Sequence, residues 1–284
     1  MDGRGSSNRG GDSGCWRTFR LFLLGYTDRP QHRGCGFGIV CRRYALDHPK
    51  TETKALTAAF KARQFNNKRT AVQSAAESIA TSLSRALSVK GRATLGVCGG
   101  SSAELIFPIL SEAPISWSLV RVVLVDDRWV SLESEHSNES LVRKKLLQNH
   151  AADAELFSLK THHSHPQDAL TFIDDQLETL QFPVDTLLVS MGLDGHIASL
   201  FPGGVENQEA KLRVVASTAP VAPFERISLS PCVIRESRHI VLPVLGAEKR
   251  DIFDQAAQPG PKSQFPVRHA LFSPDAECDV FLSA

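Results

Sequence analysis

Residues 187–191, Leu-Leu-Val-Ser-Met, form an apolar run too short for a buried helix, and it ends at Gly192 just before Asp194, Gly195 and His196. Such a run feeding a glycine turn reads as a buried strand. The stretches Ala93 to Cys98, Leu119 to Val125 and His239 to Leu245 have the same character, and each likewise stops at glycine or charge. Between them lie segments of helical period. Val72, Ala76, Ile79, Leu83 and Leu87 recur at spacings of three and four up to Gly91, and Leu170, Ile173, Leu177 and Leu180 do so after Pro166. Residues 156–159 and Asp279 to Leu282 read as further strands, Arg226 to Ser230 as an alternating one, and Val267 to Phe272 as a helical stretch. Strands alternating with helices imply βαβ units and an α/β fold. Strands this apolar are buried on both sides, so the mainly parallel sheet is expected to carry helices on both faces.

In an open α/β sheet ligands bind in the crevice at the carboxyl ends of the strands, so the residues that end each run are the candidates for chemistry. Asp194 and His196 end one. An imidazole titrates near neutrality, and a neighbouring carboxylate can fix its tautomer, so this pair suits a general base and its orienting group. A satisfied histidine in a turn is the plainer reading of those residues alone. Gly99, Gly100, Ser101 and Ser102 end a second run and open a helix through Leu110; free amides and the helix dipole there suit an anion, while a serine-capped connection is the structural alternative. The lysine and spacing of a Walker loop are missing. Asp126, Asp127, Arg128 and Trp129 end a third run, where adjacent charges must be solvated as a surface Asp–Arg pair or used on a ligand. Ser137 and Asn138 read as a cap for the helix through Leu147. Lys249 falls in the first turn of the helix after Gly246, a position that opposes the dipole unless the side chain reaches solvent or faces a bound anion.

Composition narrows the class. The 284 residues are 42% hydrophobic and carry a net charge of +1, enough apolar content for a sizeable core and no argument for nucleic acid. Six cysteines without a CxxC pair indicate a reducing compartment, the cytoplasm, rather than a disulfide framework. No run approaches a membrane span, so no membrane partner is expected. His162, His163 and His165 lie in a loop with no Cys or carboxylate at ligand spacing, and read as solvated rather than as a metal site. Residues 1–50 hold nine Lys/Arg against four Asp/Glu without periodicity. Residues 1–54 are therefore expected to be a disordered or non-native-start extension, with the acids and glycines arguing against an organellar leader. Residues 55–284 are expected to be a single domain, and a monomer.

Four stretches in this order, LGVCGGSS, LVDDRWV with Ser137-Asn138 beyond it, SMGLDGHIASLFPGG, and RISLS followed by VLGAEK, resemble the 6-phosphogluconolactonase family. The resemblance implies a modified Rossmann-like sheet, shared with the glucosamine-6-phosphate deaminases and isomerases. In those the residues after the histidine typically read A-F-N-E-P-G; here Ala198 to Pro202 bring no carboxylate, which favours the lactonase. The implied activity is hydrolysis of 6-phospho-D-glucono-1,5-lactone to 6-phosphogluconate, without cofactor or metal. By the same resemblance Gly99, Gly100, Ser101 and Ser102 fall on a phosphate-binding loop, Asp126 and Arg128 on an acidic-basic pair, His196 on the base, and Arg226 and Lys249 on cationic positions lining the substrate site. The family usually has Glu where this chain has Asp127, and threonine is common where it has Ser102. A sugar-phosphate isomerase or deaminase, and a sensor that keeps the site without the chemistry, are the alternatives.

Overall fold

The apolar runs that stop at glycine or charge become the middle of a seven-stranded sheet. The computed structural model describes residues 60–207 and 210–283; the expected extension, 1–54, lies outside the described residues. In chain order the elements are β1 (Lys61–Phe65), α1 (Lys68–Lys90), β2 (Ala93–Val97), α2 (Ser101–Ser111), β3 (Val120–Leu124), β4 (Asp126–Arg128), α3 (Asn138–Lys145), β5 (Glu155–Phe157), α4 (Pro166–Leu177), β6 (Thr186–Leu188), β7 (Val214–Thr218), β8 (Glu225–Leu229), α5 (Pro231–Glu236), β9 (His239–Leu245), α6 (Ala247–Ala256), α7 (Arg268–Leu271) and β10 (Glu277–Ser283). The large sheet runs β1-β10-β9-β6-β2-β3-β5 and every neighbouring pair in it is parallel. The apolar stripe read on α1 is the buried one: Val72, Ala76, Ile79 and Leu83 pack into the core. Asn67 starts this helix by accepting the Thr70 N–H through its side chain at 2.9 Å. Both α1 and α6 pack on β9 and β10, but only α1 also packs on α2. Crossovers that run one way along the sheet (β1 to β2 to β3) and the other way (β9 to β10) place their helices on opposite faces when all are right-handed.

Two features are not anticipated by the periodicity, although β8 falls on the alternating strand read at Arg226 to Ser230. The edge strand β1, Lys-Ala-Arg-Gln-Phe, is exposed along most of its length and so shows no alternation. The other is a second sheet, an antiparallel ribbon of order β4-β8-β7. It corrects the expectation that Asp126 to Arg128 are simply the charged end of a strand. Val125 joins the sheets: its N–H donates to Val97 O and its carbonyl accepts from Leu229 N–H, both at 2.7 Å. The chain thus steps from one sheet into the other within one residue.

Burial shifts two titrating groups in ways that oppose each other on acidification. His269, in α7, is 1% exposed. Arg235 Nη1 donates to its Nδ1 at 3.3 Å, and its Nε2 has no partner among the described residues. Burial first, then the Lys262 and Arg235 charges, push the imidazole down from 6.5 to about 3. An unfolded chain takes up this proton below pH 6.5 while the fold refuses it, so the stabilisation is complete above 6.5 and is lost as pH falls toward 3. Burial pushes the Asp127 carboxyl the other way, up from 3.8 to about 6, so between those values acidification favours the fold. The histidine is displaced further and begins to act at higher pH. Between pH 7 and 4.5 the loss of about 2–3 kcal/mol at His269 is largely offset by a gain of about 2 kcal/mol at Asp127, so Tm is expected to fall by only about 1–3 °C, and in His269→Phe to rise instead. A fall unaltered in His269→Phe would place the acid sensitivity elsewhere.

Candidate active site

The turn after β6 is built around the imidazole. Gly192 N–H donates to His196 O at 2.9 Å and Gly195 N–H to Gly192 O at 3.1 Å, so the chain reverses over Gly192 to His196. Asp194 Oδ1 accepts the His196 backbone N–H at 3.1 Å and pairs with ring Nδ1 at 2.6 Å. A Cβ on Gly192 would stand 2.2 Å from the His196 ring, so only glycine admits the imidazole there. The ring of Phe201 lies 5.0 Å from that of His196 and covers its other side. Burial works against the charge of Asp194. The His196 hydrogen bonds and charge outweigh it and hold the carboxyl below the usual range. Phe265, from the segment before α7, packs under Gly195, and Val267 N–H holds Gly195 O at 2.9 Å.

The glycine pair after β2 makes the second part. Gly100 is the N-cap of α2 and brings no side-chain cap, so the first amides of that helix have no side-chain acceptor. Gly246 starts α6 in the same way. Ser102 is buried and Ser101 exposed. Lys249 lies half-buried in the first turn of α6, and no ion pair or hydrogen bond of its ammonium occurs among the described residues; burial lowers its pKa, opposed by the neighbouring Cys98. Burial also pushes the Cys98 thiol up to about 12, so it stays neutral. Lys249 and Cys98, the residue that precedes the glycine pair, influence each other electrostatically. Gly99 leaves room for Asn138, which donates from Nδ2 to Asp126 O at 2.9 Å.

The ribbon supplies the third part. Arg128 and Arg226 are directly paired across β4 and β8. Like charges opposite one another on a sheet destabilise it unless something anionic lies between them. Arg226 is mostly buried, and its pKa falls chiefly through burial, then through Arg128, against Asp126 and Asp127. Arg226 Nε donates to Pro223 O at 2.8 Å and Arg128 Nη1 to His136 O at 2.7 Å; Arg128 Nε is buried without a partner among the described residues. The surface Asp–Arg pair, one of the two readings of these charges, is not formed between Asp126 and Arg128. Asp126, 5% exposed, accepts from Ser199 Oγ at 2.7 Å. Asp127, 1% exposed, accepts backbone N–H groups of Arg128, Asn138 and Glu139 at 2.8, 2.7 and 3.1 Å. A carboxylate at 127 thus starts α3 and holds the Arg128 main chain, while Ser137 caps the same helix as expected, accepting Ser140 N–H at 3.1 Å.

Gly99 to Ser102, Asp126, Asp194, His196 and Lys249 follow the carboxyl ends of strands of the large sheet, Arg128 and Arg226 lie on the adjoining ribbon, and contacts run from Gly99 through Asn138, Asp126 and Ser199 to the His196 turn. The histidine loop does not join them as a metal site. His162 and His163 stack at 4.4 Å, His165 Nδ1 pairs with Glu225 at 2.7 Å, and no group of three or more metal-ligating side chains is found among the described residues. Asn138 was read from the sequence only as part of a helix cap and a motif, and Ser199, Phe201 and Phe265 were not assigned to the site. The first two are small polar residues inside recognisable motifs, which was the available signal.

A parallel sheet with a carboxylate–imidazole turn, two helix starts without side-chain caps and a paired-arginine ribbon at its carboxyl edge defines a Rossmann-like protein fitted to an anionic small molecule. Residues 66–278 match the model of the glucosamine-6-phosphate isomerases/6-phosphogluconolactonase family, and the chain belongs to that family. It is 36% identical over 227 residues to the 6-phosphogluconolactonase of Neisseria meningitidis, covering 77% of this chain and 96% of that one. It is 36% identical over 208 residues to the 6-phosphogluconolactonase of Mesorhizobium japonicum, covering 72% and 87%. Among solved structures, a 6-phosphogluconolactonase from Shewanella baltica superposes with a TM-score of 0.77 at 34% identity, covering 79% of this chain and 98% of its own.

Proposed function

We propose that this chain hydrolyses 6-phospho-D-glucono-1,5-lactone to 6-phosphogluconate, the lactone-opening step of the oxidative pentose phosphate pathway, with His196 as general base on water. The observation that carries the reading is the 2.6 Å Asp194–His196 contact, with two helix starts that bring no side-chain cap and two arginines paired across the ribbon without a carboxylate ion pair among the described residues. Asp194 is held ionised, so Nδ1 carries the proton and Nε2 is left to accept one. Water loses a proton to Nε2 as its oxygen attacks the lactone carbonyl. The carbonyl pair moves onto oxygen, then returns as the ring C–O bond breaks; the ring oxygen leaves as a hydroxyl by taking the proton back from Nε2, and the carboxylic acid formed releases its remaining proton to solvent. The product gains a carboxylate. The phosphate takes no part in bond breaking; Gly99 to Ser102 and Lys249 hold it and so place the carbonyl against the base, an arrangement able to lower a barrier by several kcal/mol. Arg128 and Arg226 offset the charge that develops at the lactone end. The G-x-S-x-G elbow of serine hydrolases is absent, so water attacks directly.

No helix among the described residues is long and apolar enough to cross a membrane. The absence of a CxxC pair supports a cytoplasmic placement. The test is a continuous assay with lactone generated in situ from glucose-6-phosphate, corrected for spontaneous hydrolysis. Acceleration by the chain is the expected result. Lys249→Ala is expected to raise KM by about tenfold or more with a smaller change in kcat, because a charge on the non-reacting phosphate acts on ground and transition states alike. Saturable 6-phosphogluconate binding without acceleration would make the protein a sensor, and ammonia release from glucosamine-6-phosphate a deaminase.

A further inference from the structure

We propose that Ser199 is a positioning residue that seats the His196 turn on the arginine-bearing ribbon; the proposal rests on the lactonase reading above. Ser199 is completely buried, and all three of its polar groups go to the ribbon. Its Oγ donates to Asp126 Oδ2 on β4 at 2.7 Å, its carbonyl accepts from Ser217 Oγ on β7 at 2.6 Å, and its N–H is directed to Ser228 Oγ on β8 at 3.4 Å. Each strand of the ribbon thus contributes one contact to one residue.

The register explains why this matters for the reaction. Asp126 is opposite Ser228, while Arg128, Arg226 and Ser217 form the next row of the same face, since positions two apart on a strand point the same way. The groups that grip Ser199 and the two guanidiniums therefore stand on one surface. Ser199 follows His196 by three residues, and Ala198 between them holds φ at +52°, a conformation a non-glycine residue keeps only when its surroundings impose it. Ile197 bridges to both Met191 and Leu200, closing the turn on itself. The imidazole belongs to the turn and the arginines to the ribbon, so the grip on Ser199 sets the base against the groups that face the developing charge.

Ser199→Ala, Asp126→Ala and the double variant would be made in the full chain, recording kcat, KM, the Kd for 6-phosphogluconate, and the His196 Hε1 NMR resonance. Ser199→Ala is expected to lower kcat about tenfold or more while the 6-phosphogluconate Kd stays within about threefold, because the phosphate is held by the separate cradle after β2. If Ser199 acts through Asp126, the double variant loses no more kcat than Asp126→Ala alone. Wild-type kcat in Ser199→Ala, or a loss fully additive with Asp126→Ala, would overturn the proposal. If the wild-type chain did not accelerate lactone opening, the lactonase reading would fall by itself. The seating would then be judged on the His196 resonance, which Ser199→Ala must move; an unmoved resonance overturns the seating as well.

Discussion

Replacing His196 with alanine is expected to lower kcat by about 10²–10⁴ while the Kd for 6-phosphogluconate changes little, since a positioned general base contributes in that range and the phosphate is held elsewhere. The geometry makes this the largest single kinetic loss. The imidazole is the group of the catalytic turn that the local structure is shaped around: Asp194 grips Nδ1 at 2.6 Å, Gly192 is kept bare for the ring, and Phe201 covers it. Removing the ring leaves Asp194 half-exposed beside the vacancy, where solvent can accommodate it, so folding is expected to survive. The measurement is the in situ lactone assay beside calorimetric titration with 6-phosphogluconate. Wild-type turnover in His196→Ala would remove the base assignment, whereas joint loss of turnover and product binding would point to a collapsed site.

Gly99→Ala is expected to produce the largest combined loss of affinity and stability. The added methyl would lie 1.9 Å from Asn138 Oδ1, closer than any real contact, and Asn138 is 4% exposed with its amide held on Asp126 O. It has nowhere to retreat. Either the phosphate loop shifts outward or α3 moves at its first turn, where Asp127 receives the amides of Asn138 and Glu139. Overpacking of this kind costs about 1–3 kcal/mol, which corresponds to a Tm lower by about 4–10 °C for a domain of this size. The loop shift is expected to raise KM about tenfold or more. Asn138→Gly in the same chain relieves the clash and is expected to restore much of the KM, a rescue that a general unfolding effect would not show.

Much of the active site was legible because strand ends in α/β folds carry ligands, so the residues terminating Ala93–Val97, Val120–Leu124 and the run at 187–191 were the ones to examine. Arg226 drew its significance from resemblance, and Lys249 from its place in a first helical turn; the structure pairs Arg226 with Arg128 across the ribbon and leaves Lys249 half-buried in α6. What did not read correctly was the partnership of the charges at 126–128. Asp-Asp-Arg has no periodicity, and nothing local distinguishes a surface ion pair from a three-residue strand. Its bonds run to Ser199, 73 positions away, and to amides 11 and 12 positions ahead.

Local pattern along the chain was enough for the alternation of helix and parallel strand, the strand ends where chemistry could sit, and the carboxylate–imidazole turn. These are local properties: burial imposes a period on side chains, and a turn needs particular residues within a few positions. It took the folded chain to show that β4, β7 and β8 form a second sheet, that two arginines face each other across it, that Asp126 holds Ser199 rather than Arg128, and that Phe265 supports the turn from beneath. Those arrangements join segments distant in the chain. Their energy comes from desolvated contacts that exist only once the core has closed, and so they leave no local period to read.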